Sequence, residues 1–317
     1  MDSTPEPQPV DRAAVARAYL QVILAGALWA TGGPFSVILH RMGIPPESLA
    51  LLRPVMGGIL LLVLVLALPG PDLRPSRRDL LGMLLGGGVI VAVFQLAYQM
   101  STATVGVPAT VALLYLAPAF VVGVSPVVLG ERLTPGKAGL ALLSVGGVWL
   151  TVLGARGVDV DLTLAGVLWG CLCGLSYGSY TLFGKAYGRG PGPLAALFWS
   201  TVGGSILLAA AWWLRGVSVV LPDTGAGWGV LLLFALLTMA VAPLLLFPGM
   251  KTLEAGRASI GTTVEPLVAA VLAMVFLDQV LTPMGWFGML LLVTGVSGAY
   301  ALRAPRPRGH GTGRQES

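Results

Sequence analysis

Ten apolar runs, each about 18 to 25 residues long, follow one another along this chain, and a run of that length can cross a bilayer as a helix. Only 10% of the residues are charged, against roughly 25% in soluble domains. The sequence therefore predicts an all-α polytopic membrane protein with ten transmembrane helices. The approximate limits of the runs are 18–39, 48–68, 80–100, 105–129, 135–154, 163–184, 193–214, 227–248, 257–278 and 283–302. The boundary between the third and fourth runs, near Ser101 to Gly106, is the least sharply marked.

The two ends of the chain are polar. Residues 1–17 are rich in proline and carry three acidic side chains, and residues 303–317 are basic and rich in glycine and proline. Such compositions cannot bury enough apolar surface to fold, so we expect two disordered tails. The first tail lacks the basic n-region of a cleaved signal peptide.

Positive charges are distributed unequally between alternate loops. With ten spans and a cytosolic N-terminus, 15 basic residues lie in cytosolic loops and tails, 3 lie in outer loops, and Arg53 lies inside a span. The positive-inside rule favours this arrangement, so we expect a multi-pass protein of the inner (plasma) membrane with both termini cytoplasmic. The basic residues form no recognisable nucleic-acid module, and no nucleic-acid partner is expected.

Two sequence blocks occur in the same order in both halves of the chain. The matched residues are Leu24, Ala25, Gly26, Leu28 and Trp29 with Leu164, Ala165, Gly166, Leu168 and Trp169, and Pro118, Leu133, Thr134, Pro135, Gly147 and Val148 with Pro266, Leu281, Thr282, Pro283, Gly295 and Val296. They divide the chain into repeats 18–154 and 163–302, with five helices each. Because five is odd, the second repeat is predicted to be inverted, as in secondary transporters that bind substrate near the midplane.

These blocks resemble the two EamA-type repeats of the drug/metabolite transporter superfamily, over about residues 18–303. The motifs that carry the resemblance are LLYLAP (113–118) followed by LGERLTP (129–135), and TTVEP (262–266) followed by LDQVLTP (277–283). The resemblance implies ten helices around a central cavity lined by helices one, three, four, six, eight and nine. It also implies export of amino acids and related metabolites, with relatives that move nucleotide sugars and triose phosphates. One departure is that Glu131 of the first repeat corresponds to Gln279 in the second.

Glu265 is a lone carboxylate near the middle of the ninth span, and Pro266 follows it directly. A carboxylate in hydrocarbon is costly and usually faces a protein interior or a water-filled cavity, and a proline tends to bend the helix. We interpret Glu265 as a substrate-binding or proton-coupling residue. The alternative is a structural carboxylate satisfied by neighbouring hydroxyl groups.

Arg53 is the one cation well inside a span, and we include it among the coupling or gating residues. Its side chain could snorkel to the outer interface, pair with a backbone carbonyl or with Glu265, or fork onto a substrate carboxylate. The residue type and position leave these alternatives open.

The other candidate substrate-binding residues are polar or aromatic side chains within the spans. Gln95 and Gln99 lie one turn apart on one face of the third span, with Tyr98 nearby. Matched prolines in corresponding helices, Pro118 and Pro266, indicate a binding site between the halves and candidate gating positions. The full substrate-binding set is Gln95, Tyr98, Gln99, Tyr115, Tyr177, Thr262 and Glu265. The alternative for each is interhelical hydrogen bonding or packing.

Small residues of the sixth span predict close helix contact. Gly166, Gly170, Gly174 and Gly178 recur with a period of four and form a ridge suited to helix packing. Two cysteines, Cys171 and Cys173, point in different directions on the same helix, so neither a disulfide nor a zinc site is indicated. With no metal cluster or nucleophile motif, no metal, cofactor or enzymatic activity is expected.

The sequence thus predicts a secondary transporter that exports amino acids or related small metabolites by alternating access. Few buried charges favour a net-neutral or zwitterionic substrate over a sugar phosphate. The alternatives are a facilitative carrier, a drug or amine exporter, a nucleotide-sugar-type exchanger and, from other classes, a channel or a membrane receptor. Proton coupling through Glu265 is a hypothesis, and the sequence does not fix the oligomeric state.

Overall fold

A computed structural model describes residues 12–67, 73–128, 134–187, 192–253 and 260–301. Its α-helices are α1 Arg12–Ala30, α2 Gly32–Arg41, α3 Pro46–Ala67, α4 Arg77–Gly82, α5 Gly88–Leu114, α6 Leu116–Val128, α7 Pro135–Gly154, α8 Leu164–Tyr187, α9 Pro193–Arg215, α10 Gly225–Ala235, α11 Ala242–Thr252, α12 Val264–Leu277 and α13 Pro283–Ala301. The described chain also contains two π-helical segments, Met83–Gly87 and Leu236–Val241, two short strands, β1 Ala155–Gly157 and β2 Gln279–Leu281, and helical residues 260–262 before the turn at Thr263.

Eight helical stretches of the described chain are long and apolar enough to cross a membrane. They are Arg12–Arg41, Pro46–Ala67, Arg77–Val124, Pro135–Gly154, Pro193–Arg215, Gly225–Met250, Ile260–Leu277 and Pro283–Ala301. Helix α8 contains many glycine, serine and tyrosine residues and is not among the eight. The chain therefore folds as a mostly helical, multi-pass membrane protein.

The stretch Arg77–Val124 contains the predicted third and fourth spans. Its 48 residues would extend about 72 Å as a straight helix, more than twice the roughly 30 Å hydrocarbon thickness of a bilayer. The helical conformation is interrupted at Gly106, where φ is 77° and ψ is 174°. This left-handed φ strongly favours glycine, and it places the interruption at the boundary that the apolar pattern marked least sharply.

The predicted disordered tails lie largely outside the described residues. Residues 1–11 and 302–317 are not described, whereas Arg12 to Arg17 belong to α1. The first helix therefore begins at Arg12 rather than at residue 18.

Pro108 creates a second irregularity beside Gly106. A proline has no N–H, so Pro108 cannot donate to the carbonyl of Thr104, its usual helical partner. The backbone N–H of Asp161, in the connection between the two halves, donates to that carbonyl at 2.7 Å. The helix break is thus satisfied from outside its own helix.

Gln279 satisfies the other side of the same break. The N–H of Val107 donates to Oε1 of Gln279 at 2.8 Å, and Nε2 of Gln279 donates to the carbonyl of Val158 at 3.3 Å. The side chain of Gln279 is completely buried. The residue that departs from the first-repeat motif therefore connects the second half to the first half and to the connection between them.

Helices α7 and α13 pack backbone to backbone. A Cβ at Gly147 would overlap the backbone of α13, and a Cβ at Gly288 would lie 2.5 Å from the backbone nitrogen of Thr151. Beyond the end of α7, β1 pairs antiparallel with β2, with Arg156 opposite Val280. This seam joins the two halves along one edge of the molecule.

Replacing Gln279 by methionine is expected to lower the thermal unfolding midpoint of the detergent-solubilised protein. The substitution keeps the side-chain length but leaves the buried N–H of Val107 without its acceptor, at a cost of about 1–3 kcal/mol. Val280→Ala, at a neighbouring position that is 42% exposed, is the control and should shift the midpoint much less. Equal shifts for the two variants would contradict this role of Gln279.

Candidate functional site

Two helix breaks lie at corresponding positions in the two halves. Tyr115 lies in a turn between α5 and α6, and Thr263 lies in a turn directly before α12. The two turns are 148 residues apart, the same offset that relates Pro118 to Pro266. Pro118 lies in the first turn of α6 and Pro266 in the first turn of α12.

Glu265 is buried at the start of α12. Its side chain is 8% exposed, and its position in the first helical turn is one where the helix dipole favours a negative charge. The hydroxyl of Tyr115 lies 3.2 Å from Oε2 of Glu265 and 3.0 Å from the carbonyl oxygen of Thr262. Pro266 has no N–H to donate to the Thr262 carbonyl, so a side chain from the first half supplies a donor.

Arg53 is also buried, with 6% of its surface exposed. Its Nη1 donates to Oε1 of Gln95 at 3.1 Å, and its Nη2 donates to Oγ1 of Thr238 at 3.3 Å. The guanidinium carbon lies 4.6 Å from the ring centroid of Phe234 and 5.6 Å from that of Tyr98, within the range of cation–π attraction. The side chain therefore does not snorkel to the outer interface.

No ion pair joins Arg53 to Glu265, both of which belong to the described part of the chain. The two charges are nevertheless close enough to interact electrostatically. Each is held by uncharged partners: Arg53 by Gln95 and Glu265 by Tyr115. The protein interior thus contains a cation and a carboxyl group that interact electrostatically without forming an ion pair.

Gln95 and Gln99, which the sequence grouped together, have different surroundings. Gln95 is engaged by Arg53, and its Nε2 lies 3.7 Å from Sδ of Met239. Gln99 is completely buried, and neither its Oε1 nor its Nε2 has a hydrogen-bond partner among the described residues. The Nε of Arg53 also has no partner. Because an unsatisfied buried polar group costs about 1–3 kcal/mol, Gln99 and Arg53 Nε retain hydrogen-bonding capacity for a ligand or water.

Thr238 was not selected from the sequence, yet it connects three helices. Its hydroxyl accepts from Arg53 and donates to the carbonyl of Phe234 at 2.8 Å. Its own carbonyl accepts from Nε1 of Trp29 at 2.9 Å. It lies in the second π-helical segment, a geometry common at functional sites. The sequence feature that could have identified Thr238 is that it is the single polar side chain between Gly229 and Phe247.

Tyr177 extends the aromatic surface near Arg53. Its ring centroid lies 6.1 Å from that of Phe94, which in turn stacks on Tyr98 at 6.0 Å. Tyr177 also lies within electrostatic range of Glu265. Tyr177 and Tyr98 therefore both contact Phe94, and Tyr177 interacts electrostatically with the carboxyl group of Glu265.

The glycine ridge of α8 lies against α5 and α6. A Cβ at Gly174 would lie 2.5 Å from the carbonyl oxygen of Leu113, and one at Gly178 would lie 2.6 Å from the ring of Phe120. Gly166 and Gly170 are crowded in the same way by α5. The ridge therefore lets α8 approach the break at Tyr115 closely.

The two cysteines of α8, Cys171 and Cys173, are free thiols. Within the described ranges, no group of three or more His, Cys, Asp and Glu side chains could hold a metal ion.

Thr238→Val is expected to destabilise the protein by about 1–2 kcal/mol, because it leaves one Nη of buried Arg53 without its acceptor. Thr238→Ser retains the hydroxyl and should recover most of that loss. Unfolding midpoints of the purified variants in one detergent provide the measurement. If serine were as disruptive as valine, lost methyl packing rather than the hydrogen bond would explain the effect.

Comparison with known proteins finds relatives over most of the chain. The sequence model of the EamA-like transporter family matches residues 16–153 and again residues 164–301. The chain is 24% identical over 285 residues to the uncharacterized inner membrane transporter YicL of Salmonella typhimurium, covering 87% of this chain and 93% of that protein. It is 30% identical over 155 residues to the uncharacterized transporter YwfM of Bacillus subtilis, covering 49% of this chain and about half, 51%, of that protein.

A protein of known crystal structure has the same fold. It superposes on this chain with a TM-score of 0.64 at 21% sequence identity, over 90% of this chain and 96% of that chain.

Proposed function

This chain belongs to the EamA-like transporter family, and on that premise we propose that it is a secondary transporter for amino acids or related small zwitterionic metabolites. It would work by alternating access, with ten transmembrane helices arranged as two inverted five-helix repeats. We place it in the inner (plasma) membrane with both termini cytoplasmic, as an exporter.

Two features support ten spans, and ten spans in two matched halves imply an inverted second half. The 48-residue stretch Arg77–Val124 is interrupted at Gly106 and has the length of two spans. Helix α8 has 24 residues and, although less apolar, is long enough for a further span. With five spans in each matched half, the second half would enter the membrane from the opposite side to the first.

The proposed substrate class rests on one observation, which is that Arg53 and Glu265 do not form an ion pair with each other. A buried charge is costly unless it is paired, yet these two groups are held by neutral partners instead of by each other. A zwitterion offers a carboxylate that suits a guanidinium and an ammonium group that suits Glu265. Binding would pair both charges at once.

Buried polar groups without hydrogen-bond partners favour the same class of ligand. Gln99 offers one donor and one acceptor group, and Arg53 offers a free Nε–H. A sugar phosphate carries two negative charges and calls for several cations, whereas the cluster of Arg53, Gln95, Gln99 and Thr238 contains a single cation. The cluster thus fits a small molecule with one carboxylate.

The hydrogen bonds at this site cross between the two halves. Arg53 of the first half is held by Thr238 of the second, and Glu265 of the second half is held by Tyr115 of the first. A substrate that pairs with Arg53 and Glu265 would therefore change the contacts between the halves. A ligand shifts the balance between two conformations only if it interacts differently with each of them, and a change in the contacts between the halves would provide that difference.

The experiment measures uptake into liposomes of a labelled amino-acid panel, together with the matching amines and carboxylic acids that each lack one charge. We expect saturable flux of one or a few zwitterions and little flux of their single-charge analogues. Arg53→Gln should lower kcat/KM by about tenfold or more, which corresponds to about 1.4 kcal/mol. Arg215→Gln, at the end of α9, is the matched control and should transport normally.

Two outcomes would overturn the proposal. Equal transport of the amine analogue and the amino acid would show that the carboxylate is not recognised, and an amine exporter would take its place. Discrete single-channel currents would indicate a channel instead of a carrier.

A further inference from the structure

The hydroxyl of Tyr115 has one hydrogen and two acceptors. It lies 3.0 Å from the carbonyl oxygen of Thr262 and 3.2 Å from Oε2 of Glu265. A phenol donates a single O–H and can also accept. It can therefore satisfy both groups only if one of them donates back to it.

The protonation state of Glu265 decides which arrangement forms. A protonated carboxyl group donates to the Tyr115 oxygen, and Tyr115 then donates to the Thr262 carbonyl, so each group has a partner. An ionised carboxylate cannot donate, and it attracts the phenol hydrogen more strongly than a neutral carbonyl does. Tyr115 then turns to Glu265, and the Thr262 carbonyl loses this donor.

The hydrogen bond from Tyr115 to the Thr262 carbonyl matters because Pro266 cannot replace it. In an uninterrupted helix the N–H of the residue at position 266 would donate to the carbonyl at position 262, but proline has none. The carbonyl lies beside the turn at Thr263, where α12 begins. Its hydrogen bond to Tyr115 therefore links the geometry of this break to the first half of the chain.

We propose that Tyr115 is the positioning residue through which protonation of Glu265 controls the helix break before α12. This proposal rests on the transport function proposed above and specifies how a proton gradient would act on the same site. With Glu265 protonated, Tyr115 bridges the two halves at the break. With Glu265 ionised, Tyr115 holds the carboxylate instead of the Thr262 carbonyl, and the geometry of the break can change during the transport cycle.

Other polar groups near Glu265 do not duplicate this arrangement. Among the described residues, the groups that interact electrostatically with Glu265 include Arg53 on α3, Tyr98 on α5, Cys173 and Tyr177 on α8, and Tyr115, and Tyr300 on α13 interacts with Tyr115 and Tyr177. The guanidinium stays charged at all relevant pH values, and free phenols and thiols titrate on the alkaline side of neutrality. Of these groups, Tyr115 is the one that hydrogen-bonds both the carboxyl group and the backbone at the break.

The test compares the pH profiles of flux in liposomes for the wild type, Tyr115→Phe and Glu265→Gln. In the wild type, flux should change by about tenfold per pH unit over the limiting range, as for a single titrating group. Tyr115→Phe keeps the ring, removes the shared hydrogen and should flatten the profile. Glu265→Gln should also give a flat profile, because its amide N–H donates to Tyr115 as the protonated acid does.

Two further variants separate the switch from general damage. Tyr177→Phe removes another hydroxyl near Glu265, and its profile, normalised to its own rate at one pH, should keep the wild-type slope. Pro266→Ala adds a backbone N–H that can compete with Tyr115 for the Thr262 carbonyl, so the slope should fall. A wild-type slope in Tyr115→Phe or in Pro266→Ala would overturn the proposal.

A spectroscopic measurement tests the hydrogen bond without any transport. The infrared C=O stretch of protonated Glu265, identified by its loss in Glu265→Gln, should shift to higher frequency in Tyr115→Phe and stay in place in Tyr177→Phe. An unshifted band would overturn the proposal.

The two proposals can fail separately. Saturable but pH-independent flux in the wild type would overturn the switch and keep the transporter, whereas absent flux with the expected band shift would count against the proposed substrate class.

Discussion

The structure depends on one constraint: a bilayer offers no water to backbone groups, so each helix break inside it must find hydrogen-bond partners within the protein. The chain breaks its helices beside prolines and supplies the missing partners from elsewhere. The Thr104 carbonyl, deprived of a donor by Pro108, accepts from the N–H of Asp161. The Thr262 carbonyl, deprived by Pro266, accepts from the hydroxyl of Tyr115.

These substitute hydrogen bonds explain why the two halves are joined at their helix breaks. A continuous helix satisfies its own backbone and needs nothing from its neighbours beyond packing. A broken helix must be met by a specific group at a fixed place, and here that group comes from the other half or from the connection between them. Buried polar residues at the breaks thus serve the fold and the site together, which is why Tyr115 contacts both Glu265 and a backbone carbonyl.

The sequence predicted much of this site because polar side chains are conspicuous in apolar spans. Glu265, Arg53 and the glutamines of α5 were selected on that basis, and the matched prolines indicated that two distant segments lie at corresponding breaks. The sequence did not determine which groups these polar side chains would hydrogen-bond. Arg53 had three alternatives, and its actual contacts with Gln95 and Thr238 depend on how α3, α5 and the second π-helical segment pack.

Other features could not be predicted from local sequence for the same reason. Gln279 was noticed only as a departure from a motif, because its acceptor role depends on a helix break far away in the chain at Gly106. The boundary between the third and fourth spans, near Ser101 to Gly106, was marked only weakly, since apolar composition does not change across a break made by backbone conformation alone. Thr238 carries a hydroxyl that also occurs in ordinary helix packing, so only its isolation among apolar residues marked it.

The seam between α7 and α13 also has a mechanical meaning. Two backbones in close contact at Gly147 and Gly288, continued by a short pair of strands, hold the two halves together along this seam. If the two halves move relative to each other, we expect their displacement to be smallest at this seam. The hydrogen bonds from Arg53 to Thr238 and from Tyr115 to Glu265 cross between the halves outside the seam, so such a movement would change them.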